Sequence, residues 1–423
     1  MSRIVVLAPE PIRPQMAGMG IRALELARAL QKEFDVRLLV PNSAAEAGAA
    51  AGDVAVVHAP REQLAAAASG ADAAVVSGHA ANWWFHQVPA LPVAVDLYDP
   101  FFVENLHYVT ALGTQTAAHD HATLDLALCR GDFFLCASAE QRLFYAGALF
   151  ARGRIGARNF PGDPTLARLL ATVPFGVPAQ PVSGRRENGR RALGIDGAGP
   201  LVLFGGIYDW YEPDLLLEAW PGIVRRHADA RLLFFENPNP QSTPQRAYAR
   251  ARQRAREIDP QGRTILFSPW QPYAGRADLY AACDLLVSIC APGLETDLSF
   301  RTRLLDAAWG GLASLSVGGG ALARELEAAG AARTASASSS AVAEAVSAFL
   351  ADGGAREKAM EAARLFASTR TWPAVAAPLA SWLREARVDP GRLAFPLAAP
   401  LRTLWQRLAG KRRAKMPAEG QRR

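Results

Sequence analysis

The sequence predicts an α/β protein made of two Rossmann-like halves, each with a parallel sheet, facing one central cleft. Three observations predict it. At 423 residues the chain exceeds one ordinary core and suits two domains of roughly 180 residues each. Short, almost wholly apolar runs alternate with segments of helical period, as strands buried on both faces of a parallel sheet require. That rhythm also stops at a charged, glycine-rich stretch and then restarts. The expected divisions are residues 1–183 (first half), 184–199 (linker), 200–371 (second half), 372–388 (a helix reaching back to the first half) and 389–423 (tail).

RIVVLAPEP (3–11) reads as a buried strand, followed by a loop holding Gly18 and Gly20 and an amphipathic helix over 20–34. VRLLVP (36–41), VAVVHAP (54–60), AAVVSGH (73–79) and LPVAVDLYD (91–99) continue the strand series. Residues 123–138 give a helix and the strand DFFLCAS, with Ser138 capping the helix after it, and VPFGVP (173–178) ends this half. In the second half PLVLFGG, ARLLFFE and TILFSP are strands, with an arginine-rich helix around 244–256. DLLVSICAP (284–292) is the next strand, and a helix is expected from Ser299 to Gly310 or Gly311.

Half of the residues are hydrophobic and a fifth charged, as in ordinary globular proteins. Four cysteines without CxxC spacing (129, 136, 283, 290) argue for buried thiols in a reducing compartment, not for disulfides or zinc. His119 and His121 are the one close histidine pair and read as a surface helix; no HExxH occurs. The start MSRIVVLAPEP enters a strand directly, so no signal peptide is expected, and no run of eighteen apolar residues could span a membrane. The net charge of +6 is local: residues 402–423 hold eight Lys/Arg and one acid, +7, leaving the body at −1. A nucleic-acid binder is therefore not expected. In 395–415, Leu401, Leu404, Trp405 and Leu408 alternate with arginines. That pattern fits an interfacial helix on an anionic membrane, or a disordered basic tail.

The stretch PGLETDLSFRTRLLDAAWGG (292–311) places Glu295, Asp297, Ser299, Phe300, Arg301, Arg303 and Asp306 between a strand end and a helix start. Parallel sheets open their ligand crevices at such points, and helix N-termini favour anions. Two arginines there oppose the helix dipole, which suits a phosphate-bearing ligand; a solvated salt-bridge face is the other possibility.

These words, in this order, make residues 1–388 resemble the GT-B glycosyltransferases, specifically glycosyltransferase family 4. GMGIRALELARAL resembles its glycine-rich loop and helix, DFFLCASAEQRLF and VPFGVP its pre-linker signature, and LVLFGGIYDWYEPDLLLEAW the opening of its second domain. LSFRTRLLDAAWGG resembles its acidic motif, in a variant found in a subgroup of bacterial polysaccharide glycosyltransferases. Two departures stand out. Asp306 occupies the place of the second glutamate, which holds ribose hydroxyls, and Leu298 that of the first. The loop GGIYDWYEP (205–213) also lacks the family's diphosphate-binding Arg and Lys.

The resemblance implies transfer of a hexose-type sugar from a nucleotide-sugar donor to a glycan or lipid-linked acceptor, with retention and without a metal. It places the protein in cytoplasmic cell-surface or exopolysaccharide synthesis, at most peripheral on the inner membrane face. The expected donor site comprises Gly18, Gly20, Arg22, Gly205, Gly206, Asp209, Trp210, Trp270, Asp297, Ser299, Phe300, Arg301, Arg303 and Asp306. Arg301 and Arg303 replace the missing diphosphate cations, Glu295 or Asp297 the missing glutamate, and Trp210 or Trp270 stacks on the base or fills the core. Asp99, at a strand end before Pro100, is expected to act with Glu295 as a catalytic carboxylate, or as a structural turn. The alternative function is a catalytically altered binding or scaffold subunit.

Overall fold

The structure is a computed structural model that describes residues 1–392 except 89, 181 and 238–242. The tail helix considered over 395–415 lies outside the described residues. Apolar runs became strands because each is covered on both faces, with side chains such as Ile4, Val5, Leu203 and Leu286 almost wholly buried.

The first sheet holds seven strands: β1 Arg3–Leu7, β2 Asp35–Val40, β3 Ala55–His58, β4 Ala73–Ser77, β5 Val93–Asp96, β6 Phe133–Cys136 and β7 Leu170–Thr172. Their order is β3-β2-β1-β4-β5-β6-β7, with all pairings parallel. The second sheet holds β8 Leu201–Gly206, β9 Arg231–Phe235, β10 Ile265–Ser268, β11 Leu285–Ile289, β12 Ser314–Val317 and β13 Ala332–Thr334. Its order, β10-β9-β8-β11-β12-β13, is again parallel throughout. In both sheets the chain reverses its direction of growth once, between β1 and β4 and between β8 and β11. Ligand crevices open at the carboxyl ends of strands at such switch points.

Residues 184–199 are more than a linker. They carry the helix Arg186–Ala192, laid so closely on the helix Arg276–Ala282 that a Cβ on Gly184 or Gly189 would overlap the backbone of Ala277 or Asp278. The glycines that read as loop residues in sequence serve this close approach. The last helices, Trp372–Val375 and Ala377–Arg384, return to the first half: Trp372 meets Phe175 edge-on, Trp382 stacks on Phe133, and Arg384 pairs with Glu33 at 2.6 Å.

Candidate nucleotide-sugar cleft

After β11 the chain does not enter one long helix. A short helix, Leu294–Leu298, is followed by an extended break at Ser299–Arg301 and then the helix Thr302–Trp309. The break has a local cause. Ser299 Oγ donates to Glu295 Oε1 at 2.6 Å, and the Arg301 guanidinium folds back onto the same carboxylate at 2.8 and 2.5 Å. Glu295 and Arg301 are both 5% exposed, so the bidentate pair is strong and geometrically fixed. Arg303, one helical step further, donates to Phe204 O and Gly206 O, both at 2.8 Å, and lies 3.9 Å from the Tyr211 ring centroid. It ties the end of β8 to the helix after β11, across the switch point. Gly205, at φ +86°, shapes that strand end as only glycine does readily.

A cavity of about 530 Å³ lies between the halves at both switch points, within the range of small-molecule sites. From the second half, Tyr208, Trp210, Trp270, Ser299, Phe300, Arg301, Arg303 and Asp306 reach it. Gly18, Asp99, Glu10, Glu104, His79 and Tyr108 reach it from the first. The two walls differ in charge. Arginines come from the second half only, while three carboxylates come from the first.

Those carboxylates are electrostatically crowded. Asp99 is half-buried by area, yet it lies deep in the cleft. Lost hydration, with Glu10 and Asp96 adding repulsion, pushes its pKa up to about 7, against the pull of His79. Glu104 is pushed well above the usual carboxylate range by desolvation and then by Asp99, despite Arg301 and the Ser299 hydroxyl oxygen 3.3 Å away. Burial also raises Asp306, with Arg276 Nε 3.7 Å away lowering it. Raised carboxyl groups in a cleft are a recurrent mark of functional sites.

The remaining expected residues have varied placements. Arg22 does not reach the cleft cavity: it is 1% exposed, pairs with Asp96 at 2.5 and 3.0 Å, and donates to Val173 O and Pro174 O. Asp297 is exposed and outside the cavity. Asp209 is turned to structure, accepting Arg246 Nε and the Ala247 amide at the start of the helix Arg246–Ile258, each at 2.9 Å. Trp210 stacks on Tyr208 at 4.9 Å. Trp270 donates to Met16 O at 3.1 Å and covers Gly206, where a Cβ would come within 2.7 Å of its ring. The Gly20 amide, at the head of the helix Gly18–Leu30, is met by Glu10 Oε1 at 2.6 Å, so the chain's own carboxylate sits where an anion would bind.

Four residues absent from the sequence-derived set belong here. Glu10 and Glu104 shape the carboxylate wall. His79, 2.9 Å from Asp120 and stacked on His119, stands at the cavity's edge. Gln141 bridges the halves by donating to Tyr98 O and Leu298 O at 2.8 and 2.6 Å. The polar residues after β1 and β5 were a usable signal for the carboxylates; Gln141 offered none. Among the described residues, no group of three or more His, Cys, Asp or Glu is arranged to hold a metal ion.

No family model and no curated protein matches this chain. Solved structures do. One is Alr3699/HepE of Anabaena in complex with UDP-glucose: 15% identity, TM-score 0.66, covering 91% of this chain and 100% of that one. A second is the sucrose-phosphate synthase of Thermosynechococcus elongatus, at 14%, 0.64, 91% and 99%. A third is WaaG, a glycosyltransferase involved in lipopolysaccharide biosynthesis, at 14%, 0.62, 90% and 99%. At such identities the likeness is one of architecture, and with two parallel sheets meeting over one cleft it gives this chain the GT-B fold.

Proposed function

We propose that this protein is a glycosyltransferase that takes a sugar from a nucleotide-sugar donor. The carrying observation is the uneven charge across the cleft: Arg301 and Arg303 stand with Asp306 on the second half's wall, and Glu10, Asp99 and Glu104 on the first's. Arg301 and Arg303 lie on the second half's side of the switch point; Arg303, bonded only to neutral carbonyls, offers a diphosphate its full charge, and Arg301, paired with Glu295, offers a weaker one. Each Arg303 terminal nitrogen donates to one carbonyl and has two hydrogens, so donor capacity remains for phosphate oxygens. Asp306 takes the ribose hydroxyls in this reading. Opposite, Asp99 has a pKa near working pH and suits the acceptor hydroxyl as its hydrogen-bond or proton acceptor. Glu295 is better suited to holding Arg301 than to touching a sugar, since its oxygens already accept from Arg301 and Ser299.

The finer points rest on the resemblance in sequence: retention of configuration, a hexosyl donor, independence of metal, a glycan or lipid-linked acceptor, and a cytoplasmic role in bacterial cell-envelope polysaccharide synthesis. HepE, of the same architecture, is seen in complex with UDP-glucose, which supports a uridine nucleotide as the first donor to test.

The test is a thermal-shift panel of UDP-, GDP- and dTDP-sugars on the wild type and Arg303→Ala, with and without EDTA. A ligand that binds only the folded state raises Tm by mass action. The reading requires a shift for one nucleotide, unchanged by EDTA and lost in the variant. One observation favours a second reading, a scaffold subunit: both cleft arginines already have partners within the chain. No shift with any donor, together with stable co-purification of another transferase, would establish that reading instead.

A further inference from the structure

A second cavity, of about 620 Å³, lies between the halves, beside the two places where the chain crosses from one to the other, residues 178–180 and 372–373. It shares no lining residue with the cleft cavity. From the first half Glu25, Arg28 and Lys32 reach it. Their spacing puts them on one face of the helix Gly18–Leu30 and of the turn that follows. From the second half come Tyr273, Arg276 and Trp309. The volume suits a small metabolite.

Arg276 is the residue that needs explaining. It is 8% exposed, yet its guanidinium uses few of its five donors. Nη1 donates to Tyr273 O at a long 3.5 Å, and Nε has no acceptor among the described residues. Asp306 Oδ1 stands 3.7 Å from Nε, close enough for attraction and too far for a hydrogen bond. Rings hold the group instead, with its central carbon 3.6 Å from the Tyr273 centroid and 4.6 Å from that of Trp309. A buried guanidinium with unmet donors is costly unless something supplies acceptors. The indole nitrogens of Trp309 and Trp372, two more residues of this lining, are likewise buried without an acceptor among the described residues. The charge has the matching sign. Arg28, Lys32 and Arg276 stand against one carboxylate of the lining, Glu25, with Asp306 behind Arg276. Glu25 is already engaged by Arg28 at 2.6 Å and by the Tyr273 hydroxyl at 3.0 Å. Lys32 is exposed and has no ion pair among the described residues.

We propose that this cavity binds a small phosphate-bearing molecule, held by Arg276 and Lys32 with Arg28 beside them. A guanidinium fork matches phosphate oxygens, and a charge larger than a carboxylate's suits several cations around a single acid. Bound there, the molecule joins the halves, meeting Arg28 and Lys32 from one and Arg276 from the other. It also couples the two cavities, because it offsets the Arg276 charge that favours the ionised form of Asp306. Phosphate should therefore weaken the carboxylate assigned to the donor's ribose. That last consequence rests on the transferase reading; binding does not.

The experiment is calorimetric titration of the full chain with inorganic phosphate at matched ionic strength. The wild type should bind it, and so should Arg303→Ala, in which the cleft's main phosphate ligand is gone. Lys32→Glu should bind at least about tenfold more weakly, since attraction becomes repulsion. Lys32 is exposed, so an unchanged Tm without phosphate will confirm folding. No binding by the wild type, its loss in Arg303→Ala, or wild-type affinity in Lys32→Glu would overturn the proposal. Saturating phosphate should also lower the affinity of the wild type for UDP severalfold, and the same phosphate concentration should lower it less in Lys32→Glu. An equal fall in both proteins would place the phosphate in the cleft itself, and none in the wild type would overturn the coupling. The donor-induced thermal shift, measured without phosphate, reports separately on the transferase reading.

Discussion

Asp99→Asn tests whether the cleft carboxylates are held under electrostatic strain. The folded-state pKa is about 7 against an ordinary 3.8. An acid whose pKa is raised by folding binds more protons folded than unfolded between those values, so its contribution to stability falls as pH rises through that window. A shift of about three units sets a ceiling of about 4 kcal/mol on the penalty above pH 7. Water in the open cleft screens the charge and lowers that figure. About 1–3 kcal/mol is the expected gain for the asparagine variant at pH 8, with almost none near pH 4. Urea unfolding at a series of pH values reads this directly. A variant less stable than wild type at pH 8, or a difference independent of pH, would refute the reasoning. Under the transferase reading the stabilised variant should also lose sugar transfer, the trade-off expected where a functional site stores strain.

Other perturbations probe the frame around the cleft. Arg22→Ala should cost about 3–5 kcal/mol, because Asp96 is left as an unpaired buried charge, and donor-induced thermal shifts in the folded fraction should survive. Gly206→Ala should displace Trp270 from its contact and from Met16 O, weakening a tie between the halves; a lower Tm and altered tryptophan fluorescence are expected. Gln141→Ala leaves the carbonyls of Tyr98 and Leu298 without that donor, a loss of about 1–3 kcal/mol by denaturant unfolding.

The strands were legible in sequence because a sheet covered on both faces leaves continuous apolar runs, and the two switch points follow from that order. Strand ends and the helix start after β11 were legible as well, which is why Asp99, Gly205 and Arg303 were found beside the cleft. What could not be read were partners brought from far along the chain. Arg22 looked like a ligand-facing residue of the glycine loop until the topology set it against Asp96, 74 positions away. Glu295 and Asp297 looked interchangeable, yet the short helix Leu294–Leu298 buries one and exposes the other. Ser299 read as a helix start, but its bond to Glu295 and the Arg301 pair hold the chain extended. Residues 184–199 carried a linker's composition because glycines that permit close helix contact look the same in sequence as glycines that permit loops.

Phosphorus NMR of a bound nucleoside diphosphate addresses the central claim most directly, because it observes the group that Arg301 and Arg303 are proposed to hold. Titrating UDP with the wild type should shift and broaden both phosphate resonances, with EDTA present, and Arg303→Ala should leave them at their free positions while remaining folded. Equal perturbation by the variant, or none by the wild type with any nucleoside diphosphate, would contradict the assignment of this cleft wall to the donor diphosphate.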